Sequence, residues 1–159
     1  MELRRWKIEV NDSGGEPLEK TPPATFLRLV AHMVAEELAP VALLACLKHP
    51  LAAGGEQPGR FRQRVRHLER LLLRGPRPAP GIEGLRNALR AMPEEKSRAG
   101  GLDGIESLIG RLERDLAPLT EAMTRRTALD DLVRLHAAAA ERLATTKKED
   151  GGIRLWKEE

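Results

Sequence analysis

The residues of this chain whose type and spacing could do chemistry are arginines. Seven of them fall between positions 60 and 77, with Glu69 as the only acid in that span: Arg60, Arg62, Arg64, Arg66, Arg70, Arg74 and Arg77. Those at 62, 66, 70 and 74 are four apart and would form a ridge along one helix face. Guanidinium groups suit phosphate oxygens, and phosphates would relieve the repulsion between like charges at this spacing.

The ridge, with Arg77 just beyond it, is therefore a candidate nucleic-acid-binding surface. The alternative is a solvated helix face whose arginines pair with acidic side chains of neighbouring helices. The spacing alone leaves both interpretations open. Salt bridges to acids on other helices would favour the second.

Other reactive side chains form no recognisable constellation. Cys46 and His49 are three apart, but a metal site would need two further donors that no motif supplies. The pairs Glu36–Glu37 and Asp130–Asp131 are adjacent, and adjacent residues of a helix do not face each other. The sequence contains no phosphate loop, dinucleotide fingerprint, nucleophile elbow or zinc-protease motif. We therefore predict no catalytic residue, no metal site and no cofactor.

The length of 159 residues predicts one domain over residues 1–159, and the composition predicts that it is helical. Aromatic residues make up 3% of the chain, so its core must be built from aliphatic side chains, which suits helices. The net charge of +3 is compatible with nucleic acid without demanding it. The single cysteine excludes an internal disulfide and favours a reducing, cytoplasmic compartment. No apolar run reaches the length of a membrane span, and the N-terminus lacks the apolar core of a signal peptide.

The helices that must position the arginines can be read from caps and periodicity. Thr21 can cap a first helix that opens at Pro22, and Pro40 ends that segment and starts a second helix. A third helix opens near Pro58. Its apolar positions point inward and so direct the arginine ridge outward: Phe61, Val65, Leu68 and Leu72.

The C-terminal half is predicted to continue the helical pattern. We expect a helix from Ile82 to Met92, a polar loop from Pro93 to Gly101, and an apolar stripe from Leu102 to Leu116 that breaks at Pro118. Thr127 is the expected cap of the last long helix. Two short strands are predicted at the ends, Lys7–Val10 and Ile153–Trp156. The predicted fold class is thus all-α, with a helical body at about 21–146 and short flanking segments, 1–20 and 147–159.

Four runs of the sequence resemble one protein family: RWKIEVNDSGGEPL, TPPATFLRLV, APVALLACLKHPL and LLRGPRP. They look like an internal piece of the AddB family, in its alphaproteobacterial form. AddB is the double-strand break repair subunit of the AddAB helicase–nuclease. The resemblance covers nearly the whole chain and is densest from Trp6 to Pro80.

The resemblance implies a helical accessory subdomain, inserted in the second RecA-like domain of a helicase that has lost its ATPase motifs. It implies an AddA-like helicase–nuclease subunit and DNA as partners, in processing broken DNA ends. The family's nuclease residues and iron–sulfur cysteines lie outside this stretch, so none is carried over, and whether the parent protein is an enzyme stays open here. An inserted subdomain should also have its two ends close together.

Overall fold

A computed structural model describes residues 17–93 and 102–156, and all regular elements in those ranges are helical. After a short 3-10 turn at Leu18–Lys20, the helices are α1 (Pro22–Ala35), α2 (Pro40–Leu47), α3 (Pro58–Leu68), α4 (Gly81–Arg90), α5 (Leu102–Met123), α6 (Leu129–Ala144) and α7 (Gly151–Trp156). A π-helical turn, Glu69–Leu73, extends α3. The predicted all-α fold is confirmed. The predicted strand Lys7–Val10, nearly all of the predicted loop 93–101 and the expected closeness of the two chain ends lie outside the described residues.

The first helical pair forms as its local chemistry predicts. The Thr21 hydroxyl accepts a hydrogen bond from the Ala24 N–H at 3.4 Å, and Pro22 occupies the first helical position. The corner after α1 uses left-handed backbone at Glu37 and Leu38, with φ of 49° and 62°. Pro40 then opens α2 without losing a hydrogen bond, because the first N–H groups of a helix have no intrahelical partner.

One hydrophobic core, mostly aliphatic but with Phe26 and Phe61 in it, joins the helices. The long helices α5 and α6 pack on each other and on α1, while α3 and α4 pack against α5. Burying one such side chain contributes about 1.5–3 kcal/mol, so this core is the main source of stability. Its largest fully buried side chains are Phe26, Met33, Leu43, Leu47, Phe61, Leu68, Leu85, Ile105, Ile109, Leu112, Leu116 and Leu143.

The predicted break at Pro118 is wrong, because α5 runs through it from Leu102 to Met123. Proline removes one backbone hydrogen bond from the helix interior. The Thr120 hydroxyl donates to the nearby carbonyls of Leu116 and Ala117, at 3.2 and 3.0 Å. Leu116 and Leu119, on either side of the proline, are both buried. Tertiary packing therefore holds the helix continuous where local propensity favours a break.

Thr127 does not cap the last long helix. Its hydroxyl donates back to the Ala122 carbonyl at 2.8 Å, and Ala128 is the residue that precedes α6. A threonine one residue too early can reach the carbonyls that end α5 but does not cap the amides that start α6. Thr127 therefore ends one helix instead of beginning the next.

The predicted strand Ile153–Trp156 is also wrong, since Gly151–Trp156 is a short helix. A Cβ at Gly151 would lie 1.7 Å from the Glu141 carbonyl oxygen, so glycine lets α7 start directly against the end of α6. Leu155 is buried, and the Arg154 guanidinium donates to the carbonyl oxygens of Leu51 and Ala144. These contacts favour a helix in a segment too short for periodicity to decide.

The loop after α2 is tied to the far end of the chain. The amides of Ala53 and Gly54 both donate to the Leu143 carbonyl at 2.9 Å, and the Gly55 amide donates to the Thr145 carbonyl at 2.6 Å. Glu56 and Thr146 form an isolated parallel bridge. This contact sets the loop that leads into α3 against the C-terminus of α6.

Candidate nucleic-acid interface

Helix α3 presents arginines to solvent because its apolar positions are fixed in the core. Phe61, Val65 and Leu68 are buried, each with 1% or less of its surface exposed. Arg62 and Arg66 lie on the flank of the helix, about 90° and 130° around the axis from this buried face, and are exposed. The outward direction expected from the helical period is therefore observed for this part of the ridge.

The π turn that follows α3 was not foreseen from the sequence, and it changes the line of the ridge. The Arg74 amide donates to the Glu69 carbonyl at 3.0 Å, one residue further back than in an α-helix. The wider turn lets three consecutive leucines contact the core, with Leu72 buried and its neighbours Leu71 and Leu73 half-buried. The run of three leucines is the only sequence signal for it.

The geometric effect of the π turn is to bring Arg74 back toward Arg62. In a continuous α-helix, at about 100° per residue, Arg74 would lie about 120° around the axis from Arg62. With about 4.4 residues per turn between Glu69 and Leu73, that angle falls to about 30°. The two arginines consequently border the same groove.

This groove is a cavity of about 360 Å³ between the end of α2 and α3, which we call the arginine groove. Its walls carry four cations around one carboxylate, and its floor is apolar. The lining residues are Leu47, Lys48, Arg62, Val65, Arg66, Glu69 and Arg74. Cations arranged in this way can bind the phosphate oxygens of a nucleic-acid backbone electrostatically.

The other two predicted site residues, Arg70 and Arg77, are exposed but do not border the arginine groove as the described residues define it. Arg77 instead lines a separate cavity of about 380 Å³, together with His32 and Glu36. The predicted straight ridge is thus divided. Three of its members converge on the groove, while Arg70 and Arg77 extend the basic surface beside it.

Glu69 is the acid among the described residues that line the groove. It lies 2.8 Å from the Lys48 ammonium and 3.7 Å from the Arg74 guanidinium. Its hydrogen bond with Lys48, together with Arg74, lowers the pKa of the Glu69 carboxyl. Glu69 therefore stays ionised at neutral pH and partly neutralises these two cations.

The arginines of this segment divide into paired and unpaired ones. Within residues 17–93 and 102–156, no ion pair involves Arg62, Arg66, Arg70 or Arg77. Arg64 differs, because its guanidinium lies 2.5 Å from Glu56 and donates to the Ser107 hydroxyl at 3.2 Å. Arg64 is thus paired with an acid, but Glu56 lies in the loop before α3 and not on a neighbouring helix, as the alternative drawn from the sequence had it.

The other reactive side chains considered in the sequence are buried or make contacts that support the fold. Burial raises the pKa of the Cys46 thiol to about 12 and lowers the pKa of His49. The His49 Nδ1 accepts from the Leu51 amide at 3.3 Å, and its ring stacks on Phe26 with centroids 5.1 Å apart. His136 lies 2.9 Å from the Leu27 carbonyl oxygen. Among the described residues, no three His, Cys, Asp or Glu side chains are grouped as metal ligands would be.

A larger cleft, of about 540 Å³, lies on another side of the molecule, between the end of α1, the start of α4 and the second half of α5. Its walls include Val34, Leu38, Ile82 and Leu116, and Met123 at its edge is half exposed. Acidic side chains at Glu37, Glu83 and Glu113 also border it. A cleft of this composition suits an apolar side chain of a partner and does not suit a phosphate.

In the part of the chain that the structure describes, no helix combines the length and apolarity needed to cross a membrane. Comparisons of the chain with protein-family models, curated proteins and solved structures find no significant match.

Proposed function

We propose that this chain is a non-catalytic helical module that binds the phosphate backbone of DNA through Arg62, Arg66, Arg70, Arg74 and Arg77. In keeping with the AddB-like sequence runs, the module belongs to a double-strand break repair subunit that works beside an AddA-like helicase–nuclease. Its task is to hold DNA while catalytic domains elsewhere act on it.

The observation that carries this proposal is that four of these five exposed arginines, all except Arg74, lack an acidic partner among the described residues. Like charges four apart on a helix repel one another by a few tenths of a kcal/mol per pair. A solvated surface gains nothing from concentrating them. Phosphate binding relieves this repulsion and releases counterions from the nucleic acid, which is the main driving force of backbone recognition.

The test is a titration of the chain with a DNA duplex at two salt concentrations. The variant R62E/R66E should bind more weakly to every sequence, and the slope of log affinity against log salt should fall by about two units, roughly 0.9 for each lost phosphate contact. The matched control is R125E/R126E, which reverses two exposed arginines in the connection between α5 and α6.

The proposal requires the two variants to differ. Equal affinities and equal salt slopes for R62E/R66E and R125E/R126E would show that binding follows total charge and not this surface. Circular dichroism of both variants should match the parent, because the substituted side chains are exposed.

A second candidate function is that of a protein-interaction scaffold without direct DNA contact. The cleft beside Met123 favours it, since a half-exposed methionine over an apolar wall suits a partner's side chain. Binding of a protein partner through this cleft would depend little on salt and would be weakened by Met123→Asp. Binding of DNA through the arginine groove would fall steeply with salt and would not respond to that change.

A further inference from the structure

A second basic cavity, of about 580 Å³, lies where the turn after α6 faces the first turn of α3. Four cations and one carboxylate line it: Arg62, Lys147, Lys148, Arg154 and Glu149. The rest of its wall is formed by Gln57, Pro58, Gly59 and Thr146. We call it the lysine cavity. Arg62 borders both this cavity and the arginine groove, so the two are neighbours on the surface.

Backbone hydrogen bonds fix the turn that carries the two lysines. The Thr146 hydroxyl accepts from the amides of Lys148 and Glu149, at 3.2 and 2.9 Å. The Thr146 amide donates to the Glu149 carbonyl at 2.9 Å. The lysine side chains take no part in these bonds and are exposed. The turn is therefore preorganised, while both ammonium groups remain available to a ligand.

The charges of the lysine cavity do not cancel. Arg154 is mostly buried, with 14% of its side chain exposed, and its Nε lies 3.9 Å from Glu149. Its guanidinium is further held by the carbonyls of Leu51 and Ala144. This pair accounts for the one acid that the described residues contribute to the wall, and three of their cations are left over. Between described residues, none of the three makes an ion pair.

We propose that the lysine cavity binds a phosphate group through Lys147, Lys148 and Arg62. Three exposed cations around one concave space repel one another, and an anion of high charge density removes that cost. Helix α3 also begins at this cavity, so its positive end adds to the same field. Only the identification of the phosphate as part of DNA rests on the proposed function.

Arg62 lies between the arginine groove and the lysine cavity and lines both of them. A strand lying in the arginine groove would reach the lysine cavity without leaving the protein surface. Its backbone would then be held by two segments that are about 80 residues apart in sequence, α3 and the turn after α6. A free phosphate compound could occupy the same cavity without the groove.

The first experiment uses inorganic pyrophosphate as the probe and follows backbone amide shifts of the whole chain by NMR. We expect saturable shifts at Gly59, Lys147 and Lys148, and an affinity about tenfold weaker in K147Q/K148Q, since two solvent-exposed ion pairs, each worth about threefold in affinity, are lost. The control R125Q/R126Q removes the same charge from exposed residues elsewhere and should bind pyrophosphate like the parent. No saturable shift, or equal affinities of the parent and K147Q/K148Q, would overturn the proposal.

The second experiment identifies the source of the phosphate by repeating the DNA titration with K147Q/K148Q. A salt slope lower by about two units supports the cavity with a DNA strand as its ligand. An unchanged slope, together with lost pyrophosphate binding, supports the cavity with a free phosphate compound as its ligand. Should the parent not bind DNA at all, the proposed function fails, and the pyrophosphate titration still decides the cavity.

Discussion

Replacing Glu69 with glutamine tests whether the arginine groove binds phosphates. Glu69 lines the groove, and its carboxylate lies 2.8 Å from Lys48 and 3.7 Å from Arg74. If the groove binds a nucleic-acid backbone, this carboxylate competes with phosphate for both cations. Glu69→Gln keeps the shape of the side chain and removes the charge. It should therefore strengthen DNA binding, whereas loss of a structural residue would weaken it.

The size of the gain follows from the number of cations released. Each cation that becomes a phosphate contact steepens the salt dependence by about 0.9 units. Arg74 is already 70% exposed and lies further from the carboxylate, so Lys48 is the main contributor and two contacts are the upper limit. Between 200 and 50 mM salt, the affinity gain of the variant over the parent should grow by about 3.5-fold for one contact and about 12-fold for two.

The assay is fluorescence anisotropy with one labelled duplex at four salt concentrations. The control Glu121→Gln removes the same charge from an exposed position near the end of α5 and should change neither slope nor affinity beyond the small effect of net charge. An E69Q variant that folds normally but binds DNA with the parent's affinity and slope would refute the role given to the groove. So would equal gains for both variants.

Three further predictions concern stability and reactivity. Gly84→Ala should lower the free energy of unfolding, measured in urea, by about 1–3 kcal/mol, because its Cβ would lie 1.7 Å from the Ala79 carbonyl oxygen. The control Gly59→Ala has open space around its Cβ and should leave the free energy of unfolding unchanged. Cys46 should be alkylated about a thousand-fold more slowly in the native state than in urea, because burial raises its pKa to about 12; fast native labelling would contradict its burial. Burial also raises the pKa of Asp115, so the folded state binds this proton more tightly than the unfolded state. The parent should accordingly lose stability relative to Asp115→Asn as pH rises through that pKa, and a pH-independent difference between their unfolding free energies would show otherwise.

The fold could be predicted where local chemistry decides it. Thr21, Pro22 and Pro40 set helix boundaries through capping and the missing proline amide, and the apolar period of α3 fixes which of its sides is buried. The same reasoning predicted a break at Pro118 and was wrong there, because buried leucines around the proline hold α5 together. The segment Gly151–Trp156 was predicted as a strand and is a helix. Six residues fit a helix or a strand equally well, and the contact of Gly151 with the end of α6 decides between them.

The candidate site could be predicted only in part for a similar reason. Exposure of Arg62 and Arg66 follows from helical spacing within one segment. The pairing of Arg64 with Glu56 and the arrival of Lys48 beside Glu69 depend on how separate segments pack, which the spacing does not contain. Lys147 and Lys148 were not predicted as site residues, because they are far along the chain from Arg62, beside which they lie in the fold. Nucleic-acid binding itself remains a prediction.

The hydrogen bonds from Ala53 and Gly54 to the Leu143 carbonyl also bear on how the chain folds. They close a loop of about 90 residues, and ordering a loop of that length costs roughly 4 kcal/mol in chain entropy. Contacts of this separation form late, since nothing offsets the entropy until the intervening helices have packed. Refolding should therefore be slower than in helical bundles joined only by short turns, with protection of the Ala53 and Gly54 amides from hydrogen exchange among the last to appear.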